Sequence, residues 1–301
     1  MPSSSSPYYQ PSGRTPLTGA LLLLVGAGAA AVPLGIVYVL AVRYIPIIYL
    51  NLLAVVAFGF GYAVLVARLA RLGKLRAPLT ATALGFVAGS VATWLQWVFF
   101  AAFIISRGDE APLVPAYLGF LTNPAALGAF MRAAAEHGTW SMKDGAPVKG
   151  VVLVIIWVAE SLVIVVPAAM FARGQAEKPF SEALQRWARC VKLPGRLPFF
   201  ADRAATRQRL ASGDLMPLVT NEPPAAMQYA RLELWRAEGD PACSYLSVEN
   251  VTETLDKKGR TQTTARPIVT HLRVPAELAQ QLEELHTTAP AAHPPATPPA
   301  S

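Results

Sequence analysis

Residues Val151–Phe171 read VVLVIIWVAESLVIVVPAAMF and hold one charged side chain, Glu160. A bilayer's hydrocarbon core is about 30 Å thick and a helix rises about 1.5 Å per residue, so about 20 apolar residues cross it. Irregular backbone cannot face lipid, so this stretch must be a helix. Three more stretches qualify: Leu17–Val42, Ile45–Leu69 and Leu79–Ile105. Across all four, only Glu160 and the terminal Arg68 carry charge. Pro33 and Pro167 fall inside the first and fourth spans, where a proline is expected to kink a helix.

Working outward, the whole chain has 301 residues, 53% hydrophobic and 15% charged, against about 25% charged in soluble domains. The deficit is local. Residues 1–172 hold ten Lys/Arg and five Asp/Glu, and residues 173–301 hold sixteen and fourteen. The first part belongs in lipid and the second in water. A purely soluble enzyme, a disordered chain and a disulfide scaffold are excluded. The expected fold class is therefore a membrane α-helical domain of four transmembrane helices (17–172), followed by a small cytoplasmic α+β domain with an antiparallel β-meander.

Lys/Arg in short loops set orientation. The loop between spans two and three carries Arg68, Arg71, Lys74 and Arg76 and no acid, and the stretch after span four begins with Arg173 and Lys178. The 107–149 loop mixes Arg107, Arg132, Lys143 and Lys149 with Asp109, Glu110, Glu136 and Asp144. Both termini are expected in the cytoplasm of a bacterial inner-membrane protein, with 107–149 periplasmic. Gly26–Ala31 resembles a signal cleavage site, but the apolar run continues to Val42, so the first helix is expected to be retained.

The ends, 1–16 (MPSSSSPYYQPSGRTP) and the Pro/Ala-rich 288–301, lack the apolar residues to build a core and are expected to be disordered. In the 107–149 loop, Pro124–Glu136 has helical spacing with Asn123 as its N-cap. It is expected to lie on the bilayer, with Tyr117, Phe120 and Trp140 at headgroup depth.

Residues 173–226 are expected to form a basic helical juxtamembrane segment. Arg173–Arg209 holds nine basic and three acidic residues, a net +6 of the chain's +7. Such a collar attracts anionic lipid of the cytoplasmic leaflet at about 1 kcal/mol per charge. Arg68, Arg71, Lys74, Arg76, Arg173, Lys178, Arg186 and Arg189 are the candidate lipid contacts. No aromatic interleaving or helix-turn-helix pattern points to nucleic acid.

The expected meander occupies 227–287. Ala230, Leu232 and Leu234 alternate with Arg231, Glu233 and Trp235, the period of a half-buried strand. Tyr245–Leu255 and Thr261–Val274 flank Asp256–Arg260, a hairpin signal with Gly259 available for positive φ. Residues from Pro275 to Leu285 read as an amphipathic helix, apolar at Leu278, Leu282 and Leu285.

A carboxyl in mid-membrane costs about 2.5–3.5 kcal/mol on insertion scales and marks a functional hypothesis. Counting inward from the helix ends brings Asn51, Gln96 and Glu160 to a similar depth. A hydrogen-bonded Asn51–Gln96–Glu160 layer is the expectation, serving either as polar glue between helices or as a proton or cation site. Gly85 and Gly89 form a GxxxG pattern that permits close helix approach, within the chain or in a homo-oligomer.

No P-loop, dinucleotide fingerprint, HExxH or GxSxG occurs. His137, His271, His286 and His293 lack metal-ligand spacing, and Cys190 and Cys243 form no CxxC pair. No catalytic residue, cofactor or metal site is expected, and no enzymatic activity.

The chain resembles a family of uncharacterised four-helix bacterial inner-membrane proteins with a cytoplasmic C-terminal domain. The likeness rests on Tyr8–Gly13, Tyr44–Leu50, Gly138–Met142, Pro147–Gly150, Ile156–Glu160 and Leu255–Gly259. It implies a zinc-ribbon-like module with one cysteine pair after span four and a second in a later strand turn. Here Ser181 and Leu184 stand where the first pair would be, and Asp240-Pro-Ala-Cys243 keeps one cysteine of the second. One thiolate cannot hold tetrahedral zinc, so the resemblance implies a lost metal site. The leading functional expectation is a non-enzymatic membrane-anchored module that binds a protein partner or senses lipid. The alternative is a small oligomeric transporter or channel built around Glu160.

Overall fold

The computed structural model describes residues 6–45, 48–107, 112–138, 148–219, 224–257 and 259–288. It divides into two units, Ser12–Glu177 and a second made of Met1–Pro11 with Lys178–Ser301. Residues 1–5, the tail from 289 and Trp140 lie outside the described residues.

The first unit contains four helices long and apolar enough to cross a membrane: α1 (Leu17–Tyr44), α2 (Ile48–Leu72), α3 (Pro78–Arg107) and α6 (Val151–Ala176). The chain is therefore a multi-pass membrane protein. Helices α1 and α6 each pack on both α2 and α3, so the order around the bundle is α1–α2–α6–α3. Both α1 and α6 continue through their internal prolines. The outward faces are apolar, with Val25, Leu52 and Met170 each more than 60% exposed. In water that surface would aggregate; in lipid it matches the solvent.

Small residues set the helix spacing. A Cβ on Gly85 would lie 2.6 Å from the Ala168 carbonyl oxygen, and one on Gly89 would lie 2.8 Å from the Val165 Cα. The GxxxG pattern is thus consumed by the α3–α6 seam within the chain. Gly59 likewise abuts the Val163 backbone, joining α2 to α6.

Between α3 and α6 lie α4 (Leu113–Thr122) and α5 (Pro124–His137), bent by 107° at Asn123. The Asn123 Oδ1 accepts the Ala126 N–H at 3.1 Å, the expected N-cap. The expected helix at Pro124–Glu136 is α5, and α4 is an addition to it. Leu127 of α5 is buried with Trp97 of α3 and Trp157 of α6. Tyr117 and Phe120 pack against the same cluster.

In the second unit, β1 (Phe180–Ser181) and β2 (Arg186–Trp187) form a small antiparallel pair. A four-stranded antiparallel sheet follows in sequence order: β3 (Arg189–Pro198), β4 (Gln228–Ala237), β5 (Asp240–Leu255) and β6 (Thr261–Arg273). Helices α7 (Arg203–Ala211) and α8 (Ala276–Thr288) supply side chains to one face of it. Leu232, Leu234, Leu246 and Val248 are fully buried there with Leu193, Leu210, Ala279 and Leu282. The hairpin closes as expected: the Asp256 N–H donates to the Arg260 carbonyl at 2.9 Å, and Gly259 takes φ +71°.

The expected basic helical segment, 173–226, is corrected. Its centre is the edge strand β3. Val191 and Leu193 face the core while Cys190 and Lys192 face away, a period of two that the density of positive charge obscured. A register shift between Lys192 and Arg196 accommodates Pro194 and Gly195.

The disordered N-terminus is also corrected where it is described. Tyr8 bridges Leu272 of β6, the Tyr9 N–H donates to the His271 carbonyl, and the Arg273 N–H donates to the Pro7 carbonyl, both at 2.8 Å. Tyr9 adds an edge-on ring contact with Tyr245 at 5.1 Å. These bonds occupy part of a sheet edge that would otherwise be open. They also carry a topological consequence. A chain whose start pairs with the domain that follows its last span must enter and leave the membrane on one side. That requires an even number of crossings, which four satisfies and a fifth through α4–α5 would not.

Candidate functional site

The four spans each bring a polar side chain toward the end of the bundle that α4 and α5 cover. Gln96 is 6% exposed, Asn51 and Glu160 are half-buried, and Tyr38 of α1, which sequence reasoning missed, is buried. The expected layer is not closed. No hydrogen bond joins Asn51, Gln96 and Glu160 among the described residues, and the Asn51 Oδ1 is buried without a partner. Helix geometry explains this. Gly59 abuts Val163, so Glu160 is level with residue 56 of α2. Asn51 therefore lies five residues, about 7.5 Å, nearer the helix end. Gln96 packs against Gly35 of α1, where a Cβ would lie 3.4 Å from its own.

The polar side chain that does reach two other helices is Tyr62. It is completely buried in α2, and its hydroxyl lies 3.0 Å from the Ala88 carbonyl of α3 and 3.2 Å from the Ala27 carbonyl of α1. Its only sequence signal is a hydroxyl at the centre of an otherwise apolar span.

Of the candidate lipid contacts, Arg68, Arg71, Lys74, Arg173, Arg186 and Arg189 are exposed and Lys178 is half-buried. Arg76 is corrected: it is 3% exposed and cannot lie against headgroups. The chain preceding α1 folds back onto it. The Gly13 N–H donates to the Arg76 carbonyl at 3.1 Å and the Arg76 N–H to the Arg14 carbonyl at 2.9 Å. Arg173 pairs with Glu177 at 2.8 Å, and Arg186 donates to the Glu238 carbonyl, so neither is a wholly free charge.

The positions that the family resemblance assigns to zinc do converge, but with other chemistry. Ser181, 1% exposed, donates to Asp240 Oδ2 at 2.5 Å and accepts the Leu184 N–H at 3.0 Å. The Leu184 side chain lies beside Gly239, immediately before Asp240, and Cys243 is buried among Ala188, Ala237 and Tyr245. One serine, one leucine, one carboxylate and one thiol do not make a tetrahedral zinc set. The β1–β2 hairpin is instead clasped to the start of β5 by a hydrogen bond to a carboxylate, a class worth about 1.5–3 kcal/mol. Ser181→Ala is expected to lower domain stability by about 2 kcal/mol in chemical unfolding. An unchanged midpoint would remove the clasp from the account.

Neither cysteine is set up for reactivity. Burial, then the neighbouring Glu233, pushes the Cys190 thiol up to about 11. Burial, then Asp240, does the same to Cys243, also to about 11. The thiolate is the nucleophile, so both remain neutral and slow at physiological pH. Alkylation of Cys190 by iodoacetamide is expected to accelerate about tenfold per pH unit up to that value. Rapid stoichiometric labelling at pH 7 would contradict it.

A closed helical bundle and a separate antiparallel sheet domain define a multi-pass membrane protein with an α+β C-terminal domain. No protein-family profile, curated protein or solved structure matches the chain.

Proposed function

We propose that this protein is a non-enzymatic, membrane-anchored binding or sensing module of a bacterial inner membrane, with both termini in the cytoplasm. The observation that carries the reading is Tyr62. A fully buried ring at the centre of the bundle, its hydroxyl within hydrogen-bond distance of carbonyls on two helices, fills the axis that a single-chain pore would need. The extramembrane domain, by contrast, has its own core and an elaborated surface. On the sheet face opposite α7 and α8, Arg231 pairs with Glu249, Lys192 with Glu233 and Arg196 with Glu253, the last two at 3.6 Å.

Cytoplasmic orientation is supported by the exposed Arg68, Arg71 and Lys74 at one end of α2. These cations suit anionic lipid of that leaflet. In this reading the C-terminal domain is the part that meets a protein partner. Glu160 acts as a packing residue in this reading.

Proton flux in proteoliposomes tests it. The intact protein is expected to conduct no better than empty vesicles, and Glu160→Gln is expected to leave folding and flux unchanged. Proton-coupled flux that disappears in a folded Glu160→Gln variant would overturn the reading in favour of a transporter.

A further inference from the structure

The β5–β6 register places Asn250 opposite Arg266 and Thr252 opposite Thr264, on the strand positions that share a face with Leu246 and Val248. Asn250, 2% exposed, is locked to the chain before α7: its Nδ2 donates to the Phe200 carbonyl at 2.8 Å and its Oδ1 accepts the Phe200 N–H at 3.2 Å. That pair of hydrogen bonds to the backbone fixes Phe199 and Phe200 as one wall of a groove that Arg203, the first residue of α7, also lines. The result is a groove of about 350 Å³ between these residues and Thr252, Thr264 and Arg266. Its volume lies at the small-ligand end of the range for binding sites, about 300–1,000 Å³.

The groove brings two arginines to one cleft. Five arginines of the domain meet acids: Arg231 with Glu249, Arg196 with Glu253, Arg236 with Glu283, Arg209 with Asp214 and Arg260 with Asp256, while Arg207 donates to the Ile268 carbonyl and Arg273 lies over the Tyr245 ring. Among the described residues Arg203 and Arg266 have no ion pair, and none of those lining the groove is an acid. The adjacent Asp202 is turned to another task, its carboxylate accepting the Ala204 and Ala205 N–H groups at 3.0 and 2.9 Å as the cap of α7. Two unpaired guanidinium groups facing one cleft raise its positive potential and invite an anion.

We infer that this groove binds a small organic phosphate, with Arg203 and Arg266 as a two-sided clamp. Two cationic forks match a phosphate dianion in charge and geometry better than a single-charge carboxylate. The Thr252 and Thr264 hydroxyls add donors for its oxygens, and Phe199, 37% exposed, offers an apolar surface to the organic part. The inference rests on the reading of the C-terminal domain as the binding part of the protein, and it names a ligand class for it. The phosphate can be free in solution or carried by a lipid headgroup.

The test uses the full chain in phosphatidylcholine nanodiscs, titrated calorimetrically with glycerol 3-phosphate and with inorganic phosphate. Saturable binding is expected for glycerol 3-phosphate, weakened at least tenfold in the double variant Arg203→Gln/Arg266→Gln. Both arginines are exposed, so the variant is expected to keep its thermal midpoint. Competition by nanodiscs containing phosphatidic acid assigns the site to a lipid headgroup; its absence assigns it to a free phosphate. No binding by the intact chain at millimolar ligand, or equal affinity in the folded double variant, overturns the inference. If phosphate fails while the domain still cross-links to a protein partner, only the groove assignment falls. If both fail, the binding reading falls with it.

Discussion

Gly85→Leu is expected to abolish the folded bundle. A side chain there meets backbone, not the flexible end of another residue: its Cβ alone would lie 2.6 Å from the Ala168 carbonyl oxygen and 2.9 Å from the Ala169 Cα. Overpacking a well-packed core costs about 1–3 kcal/mol when side chains can shift. Here α3 and α6 must separate, which removes the contacts along the whole seam, so the loss is expected at or above the top of that range. Helix association in lipid depends on this close packing because lipid tails supply no hydrophobic drive between helices. Thermal unfolding in detergent, followed by size-exclusion profile, reads the effect. Gly28→Leu is the control: nothing lies within 4 Å of a Cβ at Gly28, so its midpoint is expected to stay put. Equal loss in both variants would contradict the seam.

Tyr62→Ala is the second large effect. Removing a buried aromatic ring costs about 3–5 kcal/mol in soluble cores. In a bundle the loss comes from dispersion contacts that lipid cannot restore at the axis. About 3 kcal/mol is the expected cost. Tyr62→Phe separates the ring from the hydroxyl. An interhelical hydrogen bond in a membrane averages about 0.6 kcal/mol, because polar groups on separated helices also find partners. If Phe is as damaging as Ala, the bond and not the packing holds the axis, and the account of Tyr62 is wrong.

The spans were legible because membrane crossing is a demand on length and charge, both of which can be counted along a sequence. The same is true of Ala230, Leu232 and Leu234, whose alternation predicts their burial, and of Asn123 as a cap. Strand β3 was hidden because nine cations between Arg173 and Arg209 drew attention from the alternation of Val191 and Leu193. The pairing of Tyr8 with Leu272 links residues 264 positions apart in a Ser/Pro-rich segment, and nothing local announces it. Depth within a bundle was the least readable quantity. Counting from helix ends put Asn51 level with Glu160, whereas the packing of Gly59 on Val163 sets the register of α2 against α6. Likewise the buried Arg76 looks like any loop cation until Gly13 and Arg14 are seen to cover it.

The central claim is that the bundle anchors and the C-terminal domain binds. Cross-linking mass spectrometry in native membranes, comparing the intact chain with one ending at Gln175, tests it most directly. The account predicts protein adducts that map to residues 178–288 and vanish on truncation. Adducts confined to the bundle, or identical sets from both chains, would contradict it.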